Sequence, residues 1–132
     1  MSWSTAQKIS LAFGIVYLAI GVLGFIPGIT VPSPAPGQGL LLGIFAVNTV
    51  HNIAHLVVGA ALVWAGMSGS NVRMVNRGLA AVFALLVVGS LIAPIVEGVA
   101  INPPDTALHV LSMLITGAIG FMTADRSAAA TV

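Results

Sequence analysis

The three histidines of the chain fall in two short strings that read as helical faces. His51 and His55 stand four apart in His51-Asn52-Ile53-Ala54-His55, and Asp105 and His109 stand four apart later in the chain. Residues at this spacing lie one above the other on a helix, so each string presents two side chains to one neighbour. Imidazole with carboxylate suits Zn, Fe, Cu(II) or Mn, and histidines at i and i+4 can grip one ion from a single face. The His51–His55 spacing is also that of the zinc-protease H-E-x-x-H string. Asn52, however, occupies the place of the general-base glutamate, so the water-activating step of a metalloprotease is missing. There is no cysteine, which excludes a thiol nucleophile, thiolate ligands and a disulfide framework.

The elements that carry these strings follow from composition. Of 132 residues, 58% are hydrophobic and 5% charged, against about 25% charged in ordinary soluble domains. So few charges cannot cover the surface of a soluble protein of this size. A net charge of +1 is also far too small for a nucleic-acid footprint. A bilayer-crossing helix needs about 20 mainly apolar residues, and four segments fit: about 6–26, 48–66, 77–96 and 103–123. In lipid each segment must satisfy its own backbone, so the expected fold is an all-α integral membrane protein. It reads as one domain over 1–132, an antiparallel four-helix transmembrane bundle.

Punctuation supports these boundaries. Pro27, Pro32, Pro34 and Pro36, with Gly28, Gly37 and Gly39, predict a stiff non-helical loop. Within it, residues 40–46 read as a short interfacial segment that lids the outer end of the bundle. Met67 to Asn76 is polar and rich in Gly and Ser, a loop. Asn102-Pro103-Pro104-Asp105 reads as a helix start, and Asn48 as the matching cap of the second span. Lys8, Arg73, Arg77 and Arg126 all fall on one side, so the positive-inside rule places both termini in the cytoplasm (N-in, C-in). Trp3 and Trp64 then sit as interfacial anchors near that side. The first span is too long for the apolar core of a signal peptide and lacks a cleavage site, so it reads as retained.

Each span carries one stripe unsuited to lipid. Ser10, Gly14, Tyr17, Gly21, Gly24 and Gly28 share a face of the first span. Asn48, His51, Asn52, His55, Gly59 and Gly66 share one on the second. Asp105, His109, Ser112, Thr116, Gly120 and Thr123 align on the fourth, and Phe83, Ser90, Pro94 and Glu97 on the third. Small residues let helices approach, and polar residues within spans face the bundle interior. The stripes therefore converge on one axis. They bring Tyr17, Asn48, His51, Asn52, His55, Ser90, Glu97, Asp105 and His109 into a polar cluster, with His55 and His109 ~10 Å below the extracytoplasmic face.

These stretches resemble a family of small four-span bacterial membrane proteins, mainly actinobacterial and cyanobacterial, catalogued only as a domain of unknown function. The resemblance is carried by Leu42-Gly43-Ile44-Phe45-Ala46-Val47-Asn48, by the block His51-Asn52-Ile53-Ala54-His55-Leu56-Val57-Val58-Gly59, and by Asp105 with Leu108-His109. It spans roughly Ser10 to Phe121 and implies four spans in a bacterial inner (cytoplasmic) membrane. It implies no activity.

Two classes of function stand against each other. In the first, the protein is a non-enzymatic structural or accessory subunit. Its Asn and His side chains tie helices together, Asp105 serves as a helix-N-terminal carboxylate, and the partners are the bilayer and a larger membrane complex or a second copy. In the second, it handles metal or electrons, with a transition metal on His51, His55, His109 and Asp105. A variant of that reading is haem b ligated by His55 and His109, with Gly21 and Gly59 making room for the macrocycle. Proton relay or quinone contact through Asp105, Glu97 and the histidines is a third route, weakened because no ionisable group continues the path toward the cytoplasm.

Overall fold

The computed structural model describes residues 2–92 and 98–122. Helix α1 (Thr5–Leu23) starts at Ser4, whose Oγ accepts from the Gln7 N–H at 3.2 Å while Gln7 Oε1 accepts from the Ser4 N–H at 3.0 Å. This reciprocal box satisfies two backbone donors that the first turn leaves unpaired. Helix α2 (Thr49–Ser68) is capped by Asn48, and α4 (Pro103–Phe121) by Asn102, with Pro103 and Pro104 in the first turn as read from the sequence. Helix α3 is Val72–Ile92. All four are long and apolar enough to cross a membrane, so the fold is an all-α four-helix bundle in contact with lipid.

Several boundaries move. Helix α1 stops at Leu23, short of the expected Ile26, and Gly28 lies exposed in the following loop with φ +91°. The small-residue stripe of α1 therefore ends at Gly24. The polar stretch Met67–Asn76 is mostly helix: only Gly69, Ser70 and Asn71 separate α2 from α3, and Gly69 turns the chain at φ +68°. Its polarity misleads because Asn76 is a buried tie rather than a loop residue. Asn76 Nδ2 donates to Ser10 Oγ at 3.1 Å and to the Val72 carbonyl at 2.8 Å, while Ser10 Oγ donates to the Leu62 carbonyl at 3.0 Å. The ends expected at residues 96 and 123, with Pro94, Glu97, Thr123 and Arg126, lie outside the described residues.

The proline-rich connection is not merely a loop. Thr30–Pro32 (β1), Gly39–Leu41 (β2) and Phe45–Val47 (β3) form an antiparallel sheet in that order, with Val31 opposite Leu40 and Leu40 opposite Ala46. The stretch 40–46 is thus the end of β2, a turn at Leu42 and Gly43, and the start of β3. Strands of three residues are too short to show alternation, which hid them. Pro32 is tolerated because β1 is an edge strand.

Helix α1 packs along α2, and α3 along α4, whereas α1 and α4 meet only sparsely. The α1–α2 contact is backbone to backbone. A Cβ on Gly14 would sit 2.9 Å from the Gly59 carbonyl oxygen, and one on Gly59 would sit 2.8 Å from the Leu18 nitrogen. At one end of the bundle Ala6, Val72 and Ile119 pack together, Arg77 Nε donates to the Gly120 carbonyl at 2.7 Å, and the Arg77 guanidinium lies over the Phe121 ring. Trp3 and Trp64 are exposed. The sheet and the histidines occupy the opposite end.

Candidate functional site: a three-histidine cluster at the sheet end

The site is built from helix starts. Asn48 Oδ1 accepts from the His51 N–H at 2.9 Å, which begins α2, and Asn48 Nδ2 donates to the Gly98 carbonyl at 2.8 Å. One cap thus fixes the helix and ties it to the segment entering α4. His51, one turn into α2, is buried, and its Nδ1 lies 2.6 Å from the Ala100 carbonyl oxygen. A carbonyl only accepts, so Nδ1 carries the proton in this bond and Nε2 is the nitrogen left to ligate. His55 stands one turn further along, its ring 4.9 Å from that of His51. It stacks on Tyr17 of α1 with centroids 4.6 Å apart and planes 11° apart.

The α4 contribution is His109, buried against Phe83 at 5.9 Å between centroids and 6.1 Å from the His51 ring. His51, His55 and His109 each offer a ring nitrogen, and these atoms all lie within 4.8 Å of one another. Nδ1 of His55 and Nδ1 of His109 are buried with no hydrogen-bond partner among the described residues. Buried polar atoms are nearly always paired, so two such atoms within one histidine cluster call for a ligand or a water.

The other expected members are used differently. Asp105 is buried, but its Oδ2 accepts from the Ala46 N–H and the Asn102 N–H, both at 3.0 Å. It closes the capping box of α4 and pins β3 to that helix, and it does not belong to the converging nitrogen set. Tyr17 Oη and Ser112 Oγ share a 2.6 Å hydrogen bond that joins α1 to α4. Ser90 lies apart from the imidazoles: its Oγ accepts from Thr106 Oγ1 at 3.1 Å and donates to the Val87 carbonyl. Asn52 is buried beneath Gly24, where a Cβ would collide with its amide. Glu97 lies outside the described residues.

Beside the histidines is a cavity of about 260 Å³. Phe13, Val16 and Ile20 of α1 face Leu108 and Leu111 of α4 across it, and Leu42, Phe45 and Val47 of the sheet roof it. His51, His55, Asp105, His109 and Ser112 supply its polar lining. Sequence reasoning identified the polar end but not the walls, because apolar residues in a span read equally as lipid-facing. The carbonyl of Ala100 and the N–H of Ala46 were equally hidden, since backbone groups carry no residue-type signal.

At about 260 Å³ the cavity lies just below the ~300 Å³ at which pockets for drug-sized ligands begin. Gly21 and Gly59 do not enlarge it: a Cβ on Gly21 would meet the Leu56 side chain, and Gly59 faces the α1 backbone, so both serve the α1–α2 contact.

The family model described as Domain of unknown function (DUF4383) matches residues 7–125. The chain belongs to this family. The DUF4383 match covers α1 from Gln7 onward, the other three helices, the sheet and every histidine. No curated protein and no solved structure matches the chain.

Proposed function

We propose that this membrane protein holds a divalent transition metal ion on His51, His55 and His109, in the extracytoplasmic half of a bacterial inner membrane with both termini cytoplasmic. The observation that carries the reading is the convergence of three ring nitrogens on a buried point, two of the rings having an unpartnered Nδ1. The Ala100 carbonyl adds support, because a ligating histidine commonly donates its other N–H to a carbonyl that fixes tautomer and ring orientation. An all-imidazole set with no thiolate favours Zn(II) or Cu(II). Three protein ligands leave one position for an exogenous group, which such an ion polarises as a Lewis acid. The protein's own contribution is orientation and exclusion of water: Tyr17 and Phe83 wall the His55 and His109 rings, and the sheet closes the end above them.

Purified protein loaded with Zn(II) should retain about one equivalent after desalting, and His51→Ala, His55→Ala and His109→Ala should each lose it. Wild-type protein that retains no Zn(II) or Cu(II) above the triple variant would overturn the reading.

A second reading, a polar lock within a structural or accessory subunit, draws on the bonds that join separate segments: Tyr17 to Ser112, Asp105 to Ala46, and Asn48 to Gly98. It assigns the protein a larger membrane complex or a second copy as partner. On this reading His55→Ala lowers thermal stability in the presence of a chelator, whereas the metal reading expects a loss only when metal is supplied.

A further inference from the structure

We infer that the cavity beside the histidines is a binding site for the ring head of a lipid-soluble, quinone-type molecule, entered from the bilayer between α1 and α4. Its walls are the first reason. Where α1 and α4 separate, the rim residues Val16, Leu108 and Leu111 are 49%, 41% and 51% exposed, and in a spanning helix that exposure faces acyl chains. The path from lipid to the histidines is thus apolar throughout, suited to a solute that partitions into the membrane and hostile to an ion or a sugar.

The inner end narrows the chemistry. His51 and His109 are 4% and 6% exposed, and the His109 Nδ1 has no partner. A bare acyl chain would leave Nδ1 of His55 and of His109 unsatisfied, whereas a head bearing oxygen atoms can accept from or donate to imidazole. Size and shape narrow it further. About 260 Å³ holds one substituted ring, with an apolar tail leaving through the α1–α4 gap. Phe13, Tyr17 and Phe45 line the space and offer aromatic faces and edges to a flat head, Phe13 and Tyr17 meeting edge to face at 5.0 Å. The inference goes beyond the metal reading and does not require it, since the free nitrogens serve either a bound ion or the ring head directly.

The test uses full-length protein in lipid nanodiscs, prepared once with chelator and once with Zn(II), and titrated with decylubiquinone. Saturable binding near one equivalent is expected, and an azido-quinone analogue should label α1 around Val16 and α4 around Leu111. Leu111→Trp, which fills the rim without touching a histidine, should weaken binding at least tenfold. Val16→Trp serves the same purpose should the first variant fail to fold. Leu85→Trp on the exposed face of α3 should change nothing. Non-saturable uptake, unchanged binding in both rim variants, or equal competition by decane would each overturn the inference, the last by assigning the space to acyl chains. Quinone binding without retained metal sinks the metal reading alone; retained metal without quinone binding sinks this one alone.

Discussion

Among the polar residues of the spans, side chains with similar sequence contexts have taken opposite tasks. Asp105 and His109 sit one turn apart on α4, yet Oδ2 of the carboxylate accepts from two backbone N–H groups while the imidazole Nδ1 has no partner. This division predicts that Asp105 is a structural anchor. Asp105→Ala leaves the Ala46 and Asn102 donors unpaired and should cost about 1–3 kcal/mol at the buried Ala46 N–H, and less at the part-buried Asn102 N–H. Asp105→Asn, which keeps an acceptor oxygen and loses only the charge assistance, should cost less. Metal retention should be unchanged in Asp105→Asn, and chemical unfolding with parallel metal analysis checks both outcomes; lost metal would return Asp105 to the ligand set. Tyr17→Phe tests the neighbouring contact. It removes the bond to Ser112 but keeps the ring on His55, so a loss of about 1 kcal/mol with the histidine cluster intact is expected from the same unfolding measurement.

At the scale of elements, the glycines separate into those in tight helix contact and those with space around them. Gly59 faces the α1 backbone closely enough that an added methyl must push the helices apart. Gly59→Ala should therefore lower the melting temperature, overpacking of this kind costing about 1–3 kcal/mol and outweighing a helix-propensity gain of roughly 1 kcal/mol. Gly78 on α3 has nothing within 4 Å of the same position, so Gly78→Ala should be neutral or slightly stabilising. Melting curves of the two variants in one detergent make the comparison. The stripe on α1 was legible because small residues recur at helical spacing. Its end at Gly24 was not, since Gly28 continues the spacing after the helix has stopped. Asn76 shows the converse: a polar residue near a Gly/Ser-rich stretch reads as loop unless its partner, Ser10, is known to be beside it.

For the whole molecule, the distribution of charge predicts which end faces the cytoplasm. Lys8, Arg73 and Arg77 lie at the end away from the sheet, so the positive-inside rule predicts an extracytoplasmic sheet end. The absence of native cysteine makes this simple to test. In intact cells a membrane-impermeant maleimide should label Gln38→Cys, whereas Ser70→Cys should react only after lysis; the reverse pattern would invert the topology. The sequence by itself determined four apolar helices, two of their caps (Asn48 and Asn102) and the inward stripes, because helical periodicity and the cost of polar groups in lipid are local constraints. Only the tertiary structure decided that His51, His55 and His109 converge while Asp105 and Ser90 turn to other partners. It alone also showed the small sheet that roofs a cavity between α1 and α4. Those outcomes depend on the rotation and spacing of whole helices and on backbone groups such as the Ala100 carbonyl, which no pattern of residue types records.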